Sequence, residues 1–504
     1  MCDSLPLVRA QLRRLVIVAG VALFLAVPSG AADWPRYGGG DPAMNHVPAA
    51  AAGGLSSQTV RDIITRWSVN VGGRIVASPL YAEDVPFGNG REDAIFVATN
   101  AGIVSALRAV DGSVLWKRQV SAATRIPACN ITYGISSTPV LDRARGRLYT
   151  IGSDGLLHAL NLANGEEVSS DWPLRIVQLT GAEYVWGGLT LRGSRLYVPV
   201  ASFCDHPDAD GFNADGRLVA VDVVDPRIVA SLDITEGPNN MGGIWGYAGV
   251  TIDPDTGHLW TATGNGFVFD PECGGCLVET AGYAEAVLEL DADLNVVAWN
   301  RPEDVAIVED SGFGAAPVLF QPPGCPPLAA ANAKNGMTYI WSREDLAAGP
   351  RWSARVGPGE LGASFLAQPS YSPELGMFFI SAARDYDEQG AIRTFDAVVG
   401  FKVGPRCELP ETPTWTAPGV GRGPKSPPLI VDDLVFVPGG FDRNAFALDA
   451  RTGEVLWSVG LPGAVLAPIA YARNEVLIAD SAGNLHAFGL ERPIGVGKPG
   501  LYAV

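Results

Sequence analysis

Residues 425–457 read KSPPLIVDDLVFVPGGFDRNAFALDARTGEVLW, and this stretch contains one complete structural unit. A Pro-containing start leads into a β-branched and aromatic run, and a glycine turn separates it from a second run that ends in Ala-Leu-Asp. A Thr-Gly turn and a closing Trp457 complete the unit. Short runs of this composition joined by such turns are typical of antiparallel hairpins. The stretch therefore predicts a four-stranded antiparallel sheet.

The same unit recurs along the chain. Residues 76–116 form a second complete copy, and further unit starts lie near residues 136, 186, 245, 314, 366 and 466. A four-stranded unit cannot bury both of its faces alone, so it must stack on its neighbours. The repeats predict an all-β fold, an eight-bladed β-propeller of four-stranded antiparallel blades, with seven blades as the alternative.

The last unit, which begins near residue 466, lacks a closing Trp strand, whereas TRWSVNVGG (65–73) precedes the first complete unit. A ring closed by this N-terminal strand would leave no open sheet edge. We therefore expect a lead-in at 33–64, a propeller at 65–490 and a tail at 491–504. We expect the closing tryptophans to pack on neighbouring blades; they are Trp67, Trp116, Trp299, Trp352 and Trp457.

Residues 1–32 have the layout of a secretory signal peptide. Arg9, Arg13 and Arg14 precede an apolar run at 15–27, and small residues follow up to Ala32. This layout predicts cleavage near Ala32 and a periplasmic or secreted protein. The apolar run is short for a membrane span, so an uncleaved anchor is the less favoured alternative.

Six cysteines follow Cys2, and an even number in an exported chain favours disulfides. CGGC (273–276) is the obvious local pair, and it is favoured over a zinc site because no second pair or nearby histidine accompanies it. The sequence leaves open whether Cys129 pairs with Cys204 and Cys325 with Cys407. The net charge of −18, without a basic cluster, argues against nucleic-acid and anionic-membrane binding.

The lead-in DWPRYGGGDPAMNH (33–46) and the repeated Ala-Leu-Asp, Thr-Gly and Trp units resemble the quinoprotein dehydrogenase-like β-propellers with pyrroloquinoline quinone (PQQ) repeats. The chain looks closest to their polyvinyl-alcohol-dehydrogenase-like branch. The resemblance implies PQQ and calcium as cofactors and an alcohol or sugar as substrate. Because no Cys-x-x-Cys-His haem motif is present, electrons would pass to an external acceptor. Other members hold no cofactor, so a scaffold that binds protein or carbohydrate is the alternative.

PQQ is a flat ortho-quinone with three carboxylates, and it needs an aromatic floor and nearby cations. The resemblance implies that GGIWG (242–246) supplies Trp245 as this floor and that TGNG (263–266) supplies Asn265 as a metal ligand. It also implies that Lys334, just before an Asn-Gly turn, is the cation that polarises the quinone.

Two carboxylates complete the implied site. Asp310, before the blade start at 314, corresponds to the base that takes the substrate proton and also touches the metal. Asp205 is the nearest match to a further acidic metal ligand, although an insertion loosens the alignment there.

Three departures favour the scaffold instead. Cys129 stands alone where dehydrogenases of the family carry two adjacent cysteines, Tyr133 stands at an arginine position, and Val76 stands at a glutamate position. A hydrolase of the nucleophile-elbow type is disfavoured, because no Gly-x-Ser-x-Gly occurs and the chain has five histidines.

Overall fold

The structure is a computed structural model that describes residues 33–126, 131–178, 182–202, 215–236, 241–270, 276–279, 282–305, 311–356, 367–386, 392–421 and 426–491. These residues belong to one compact unit, Ala31–Val504. The predicted signal peptide, most of the predicted tail, and Cys129, Cys204 and Cys273 lie outside the described residues. Within the described ranges, no helix is long and apolar enough to cross a membrane.

Eight antiparallel sheets follow one another along the chain, which confirms the eight-bladed β-propeller and makes the seven-bladed alternative wrong. From the innermost to the outermost strand, blade 1 contains Leu80–Phe87, Gly90–Ala98, Ile103–Arg108 and Val114–Gln119; blade 2 contains Val140–Asp142, Arg147–Ile151, Leu156–Asn161 and Leu174–Arg175; and blade 3 contains Thr190–Arg192, Arg195–Ser202, Arg217–Asp222 and Arg227–Asp233. Blade 4 contains Thr251–Ile252, Leu259–Ala262, Val287–Leu290 and Val296–Asn300; blade 5 contains Val318–Phe320, Leu328–Asn332, Met337–Ser342 and Trp352–Arg355; and blade 6 contains Ser370–Ser372, Met377–Tyr386, Ile392–Lys402 and Trp415–Pro418. Blade 7 contains Leu429–Val431, Leu434–Pro438, Asn444–Asp449 and Val455–Gly460, and blade 8 contains Ala470–Ala472, Glu475–Ala479, Asn484–Gly489 and Ile64–Asn70.

The remaining short elements decorate this ring. His46–Val47 adds a parallel strand to blade 7, and Glu183–Tyr184 pairs with the second strand of blade 3. Two hairpins join Thr124–Ile126 to Ile131–Tyr133 and Phe267–Asp270 to Cys276–Glu279. Three short 3-10 helices are present in the described chain, at Ala49–Ala51, Val60–Asp62 and Leu346–Ala348.

The N-terminal strand closes the ring, as predicted. Ile64–Asn70 pairs antiparallel with Asn484–Gly489 and is the outer strand of blade 8. The pairing runs from Ile64 opposite Gly489 to Asn70 opposite Asn484. The first and last blades are therefore joined through a strand that comes from the opposite end of the chain.

The closing tryptophans explain the recurring glycine turns. The Trp67 indole donates to the carbonyl of Ala109 in blade 1, and a Cβ placed on Gly112 would lie 2.5 Å from its ring. Trp415, on the outer strand of blade 6, docks in the same way on Gly453 of blade 7, although it is not among the closing tryptophans predicted from the sequence. Trp299 differs, because it is 43% exposed and lies edge-on against Tyr283. Glycine at these turns is required for the indole to reach the next blade.

The lead-in runs along the innermost strands of the blades. Its backbone or side chains bond to the innermost strand of every blade from 1 to 7, and Trp34 packs in one cluster with Tyr471 of blade 8. The lead-in residues that make these bonds are Trp34, Pro35, Arg36, Asp41, Pro42, Met44 and Asn45, and their respective partners are Tyr81, Leu141, Thr190, Ile252, Leu319, Tyr371 and Ile430. The segment therefore ties the innermost strands of these blades together.

A disulfide joins Cys325 in blade 5 to Cys407 in blade 6, with a Cα–Cα distance of 5.5 Å, so one of the two open pairings is settled. The bond closes a loop with a sequence separation of 82 residues. Replacing both cysteines by alanine is expected to lower the free energy of unfolding by about 4 kcal/mol, because the unfolded chain gains loop entropy. Denaturant unfolding checks this, and an unchanged midpoint would contradict it.

Candidate functional site

Trp245 lies on a seat made by two glycines. The backbone of Gly264 donates to the carbonyl of Gly243, which brings these two loop positions together under the indole. A Cβ placed on Gly264 would lie 2.6 Å from the indole Nε1, and one placed on Gly243 would lie 3.1 Å from it. Larger residues at these positions would displace the ring. The spacing of glycines around Trp245 in the sequence thus has a direct steric cause.

This seat makes a stability prediction. Gly264→Ala is expected to lower the free energy of unfolding by about 1–3 kcal/mol, because the new methyl group overpacks the indole. Gly90→Ala is the matched control, since a Cβ there would meet nothing closer than 3.9 Å. Thermal unfolding with near-ultraviolet circular dichroism measures both variants. Equal stability of the two would show that the indole moves aside freely.

Further aromatic rings surround Trp245, which is itself half-buried. Trp186 meets it edge-on at 6.3 Å between ring centroids, and Tyr184 lies at 6.1 Å. Trp186 also contacts Tyr247, which stacks on Tyr37 of the lead-in at 6.2 Å. A continuous set of ring contacts therefore extends from Tyr37 of the lead-in to Trp245.

The phenols in this cluster remain neutral. Burial raises the pKa of Tyr184 and of Tyr247 above the usual value. The pKa of Tyr133 is also raised, mainly by burial and to a smaller extent by the negative charge of Asp154. The Tyr247 hydroxyl donates to the carbonyl of Leu466 in blade 8. Neutral hydroxyls here can donate or accept hydrogen bonds but carry no charge to bind an anion.

Asn265 and Lys334 come from loops that adjoin the Trp245 seat. A Cβ on Gly312 would lie 3.0 Å from Asn265 Oδ1, so the start of blade 5 packs directly on this buried side chain. The Lys334 backbone donates to the carbonyl of Gly312 at 3.0 Å. The loops that carry Trp245, Asn265 and Lys334 are therefore neighbours at the boundary of blades 4 and 5.

One cation that acts on these phenols, Arg74, was not predicted from the sequence. Arg74 is exposed, and its charge acts to lower the pKa of Tyr184 and of Tyr247 against the larger effect of burial. Its carbonyl accepts from the Asn100 backbone, which anchors it at the start of blade 1. The resemblance implies a glutamate at Val76, two positions later, and no role for Arg74. The described residues around this site thus include two cationic side chains, the exposed Arg74 and the half-buried Lys334.

The remaining predicted ligands cannot be placed in this geometry, because Asp310 and Asp205 lie outside the described residues. Among the residues that are described, no group of three or more His, Cys, Asp or Glu side chains could hold a metal ion. Asn265 is thus the only predicted metal ligand whose surroundings the structure gives. Tyr133, at the arginine position of the resemblance, is buried and meets Tyr184 edge-on at 4.7 Å.

The sequence profile of the PQQ-repeat family PQQ_2, described as outer membrane protein assembly factor BamB, matches residues 50–223 and 396–492. These two segments cover more than half of the chain. The chain belongs to this PQQ-repeat family. The propeller is also 24% identical over 456 residues to the polyvinylalcohol dehydrogenase of Sphingopyxis sp. (strain 113P3), with 79% of this chain and 64% of the relative covered. It thus spans about 64% of the length of the curated relatives that it matches.

Two solved structures resemble this PQQ-repeat propeller. A europium-containing methanol dehydrogenase superimposes with a TM-score of 0.71 at 13% identity, covering 91% of this chain and 98% of that one. BamB from Moraxella catarrhalis superimposes with a TM-score of 0.53 at 12% identity, covering 86% and 99%. At such identities the likeness shows the fold alone.

Proposed function

We propose that this PQQ-repeat propeller is an exported, PQQ- and calcium-dependent dehydrogenase that oxidises an alcohol or sugar and passes electrons to an external acceptor. The observation that carries the proposal is the Trp245 indole, seated on Gly243 and Gly264 beside the loops of Asn265 and Lys334. The polyvinylalcohol dehydrogenase relatives support the reaction class.

The residues that are present fit PQQ. The half-buried Trp245 offers an aromatic surface to a flat tricyclic ring, and stacking of this kind is favourable. Arg74 and Lys334 would offer positive charge to the carboxylates and quinone oxygens. When bound, PQQ would supply two-electron oxidation, which no protein side chain provides.

Side chains of the protein would supply charge stabilisation, proton transfer and the metal ligands. Lys334 would stabilise negative charge on a quinone oxygen, and Asp310 would accept the proton of the substrate hydroxyl. Asn265, Asp310 and Asp205 would give oxygen ligands to calcium, which prefers carboxylate and amide oxygens. The aromatic cluster around Trp245 would exclude water from the oxidised carbon.

A cofactor-free scaffold that binds protein or carbohydrate is the second candidate. The specific observation in its favour is Tyr133, which places a buried neutral phenol at a position where the resemblance implies a cation. The BamB description of the matching family is consistent with this reading. Retention of a partner by a protein that does not bind PQQ would favour the scaffold.

The dehydrogenase proposal is tested by dye-linked oxidation over a broad panel of alcohols and sugars. The secreted protein, freed of metal and cofactor, is assayed with PQQ plus calcium, with each alone, and with neither. Turnover only when both are present supports the proposal. Absence of turnover across the whole panel would contradict the dehydrogenase proposal and favour the scaffold.

A further inference from the structure

The ring-closing blade contains a Ser-His-Asp arrangement on elements other than those that carry Trp245. Ser68 lies on the outer strand of blade 8, directly opposite His486 on the adjacent strand. The Ser68 Oγ is 2.7 Å from His486 Nδ1, and His486 Nε2 is 3.3 Å from Asp480 Oδ2. Ser68 is exposed, whereas the side chains of His486 and Asp480 are buried. A hydroxyl at the surface is thus within hydrogen-bond distance of an imidazole, which in turn contacts a buried carboxylate.

Asp480 is fixed as an ionised acceptor. Its Oδ1 accepts from the backbones of Ala482 and Asn484, and its Oδ2 accepts from the Asn484 amide. Burial acts to raise the pKa of Asp480, but hydrogen bonds from Asn484 and His486 outweigh it and leave the pKa below its usual value. The charged carboxylate favours a proton on His486 Nε2. The Nδ1 lone pair is then left to accept the proton of Ser68.

A donor for a developing oxyanion lies at the same residue. The Val71 N–H donates across the ladder to the Gly483 carbonyl. Since N–H groups alternate along an antiparallel strand, the N–H of Ser68 points away from Asn484–Gly489. In the described part of the chain, no strand pairs with this outer edge. The Ser68 N–H can therefore reach an oxygen on a group bound to Ser68 Oγ.

The arrangement does not follow from the blade architecture. Ser353 and Ser458 also follow a closing tryptophan and are exposed on the outer strands of blades 5 and 7. Their partners across the ladder are Tyr339 and Phe446, and neither can act as a base at neutral pH. Of these three Trp-Ser positions, Ser68 is the one that faces a histidine.

We propose that Ser68 is a nucleophilic serine that reacts with small activated esters, with His486 as its base and Asp480 as the residue that orients His486. Ser68 Oγ forms a bond to the carbonyl carbon while its proton passes to His486 Nδ1. The bond from that carbon to the alcohol oxygen breaks, and the departing alcohol takes the proton. Water then cleaves the acyl-serine and releases the acid, so no oxidant or reductant is needed.

Ser68 is exposed on the outer strand of the blade, so small, unselective esters are the expected substrate class. Ser68 and His486 are 418 residues apart, and the serine lies on a strand rather than on a tight turn. No local motif could therefore reveal the arrangement. The proposal stands independently of PQQ binding.

The test treats the intact protein with a fluorophosphonate probe and maps the modified peptide by mass spectrometry. Ser68 Oγ displaces fluoride from phosphorus, and we expect labelling at Ser68 at least tenfold faster than at Ser353 or Ser458. Ser68→Ala should abolish it. His486→Phe, which copies the pairing of Ser458 with Phe446, should slow it at least tenfold. Release of p-nitrophenol from p-nitrophenyl acetate should follow the same order.

Ser458→Ala is the matched control and should label at Ser68 like the unaltered protein. Because His486 is buried, thermal unfolding of each variant is measured, and His486→Gln replaces His486→Phe if the latter does not fold. Equal labelling of the three serines, no labelling of Ser68, or unchanged labelling without His486 would overturn the proposal. None of these outcomes bears on PQQ binding, so the two proposals fail separately.

Discussion

A chain that begins at Pro48 is expected to unfold at least about 10 °C below one that begins at Asp33, or to fold without a cooperative transition. The shorter chain loses the buried side chains of Trp34, Tyr37 and Val47, each of which is 5% exposed or less. Burying a side chain of this size stabilises by about 1.5–3 kcal/mol. It also loses the backbone bonds that tie the inner strands together across the channel.

Scanning calorimetry of the two chains measures this effect directly. The chain that begins at Asp33 is the control, because it keeps every contact of the lead-in with the blades. Equal transition temperatures would mean that the blades hold the ring together without the lead-in. The result bears on the site as well, since Tyr37 stacks on Tyr247 beneath the aromatic cluster.

Lys334→Met is expected to lower kcat for dye-linked oxidation by about 100-fold or more while leaving KM for the alcohol within a fewfold of its original value. An interaction made with charge that develops during the reaction contributes about 10²–10³ in kcat. The methionine retains most of the volume but removes the charge, and the backbone bond from residue 334 to the Gly312 carbonyl should persist. Steady-state kinetics in saturating PQQ and calcium measure the change.

Lys117→Met is the control for this substitution, because Lys117 is an exposed lysine on the outer strand of blade 1. It should leave kcat unchanged. A Lys334→Met protein that retains full kcat would remove Lys334 from the proposed machinery. A loss confined to KM would instead assign the lysine to substrate binding.

The ring could be predicted from the sequence because its determinants are local and repeated. A closing tryptophan and a glycine turn recur in most blades, and the missing strand at one end of the chain matches the additional strand at the other. Trp415 could not be predicted as a closing tryptophan, because a long connection from Lys402 to Trp415 separates it from the rest of its unit. Its docking on Gly453 is visible only once the neighbouring blade is in place.

The site could be predicted only in part. The glycines around Trp245 indicate close approach, and the structure gives the physical reason in the indole that lies on them. Arg74 could not be found in this way, since its relation to Tyr184 depends on how blade 1 faces blade 3. The course of the lead-in and the pairing of Ser68 with His486 likewise depend on ring closure. Contacts between segments that are far apart in the chain carry no pattern in a single sequence.

The measurement that tests the central claim most directly is a titration of the metal- and cofactor-free protein with PQQ in the presence of calcium. Absorbance and tryptophan fluorescence follow binding, with Trp245→Ala beside the unaltered protein. Saturable one-to-one binding that is lost in Trp245→Ala is the predicted result, because it requires the seated indole as the floor of the site. No saturable binding, or equal binding by both proteins, would contradict the account.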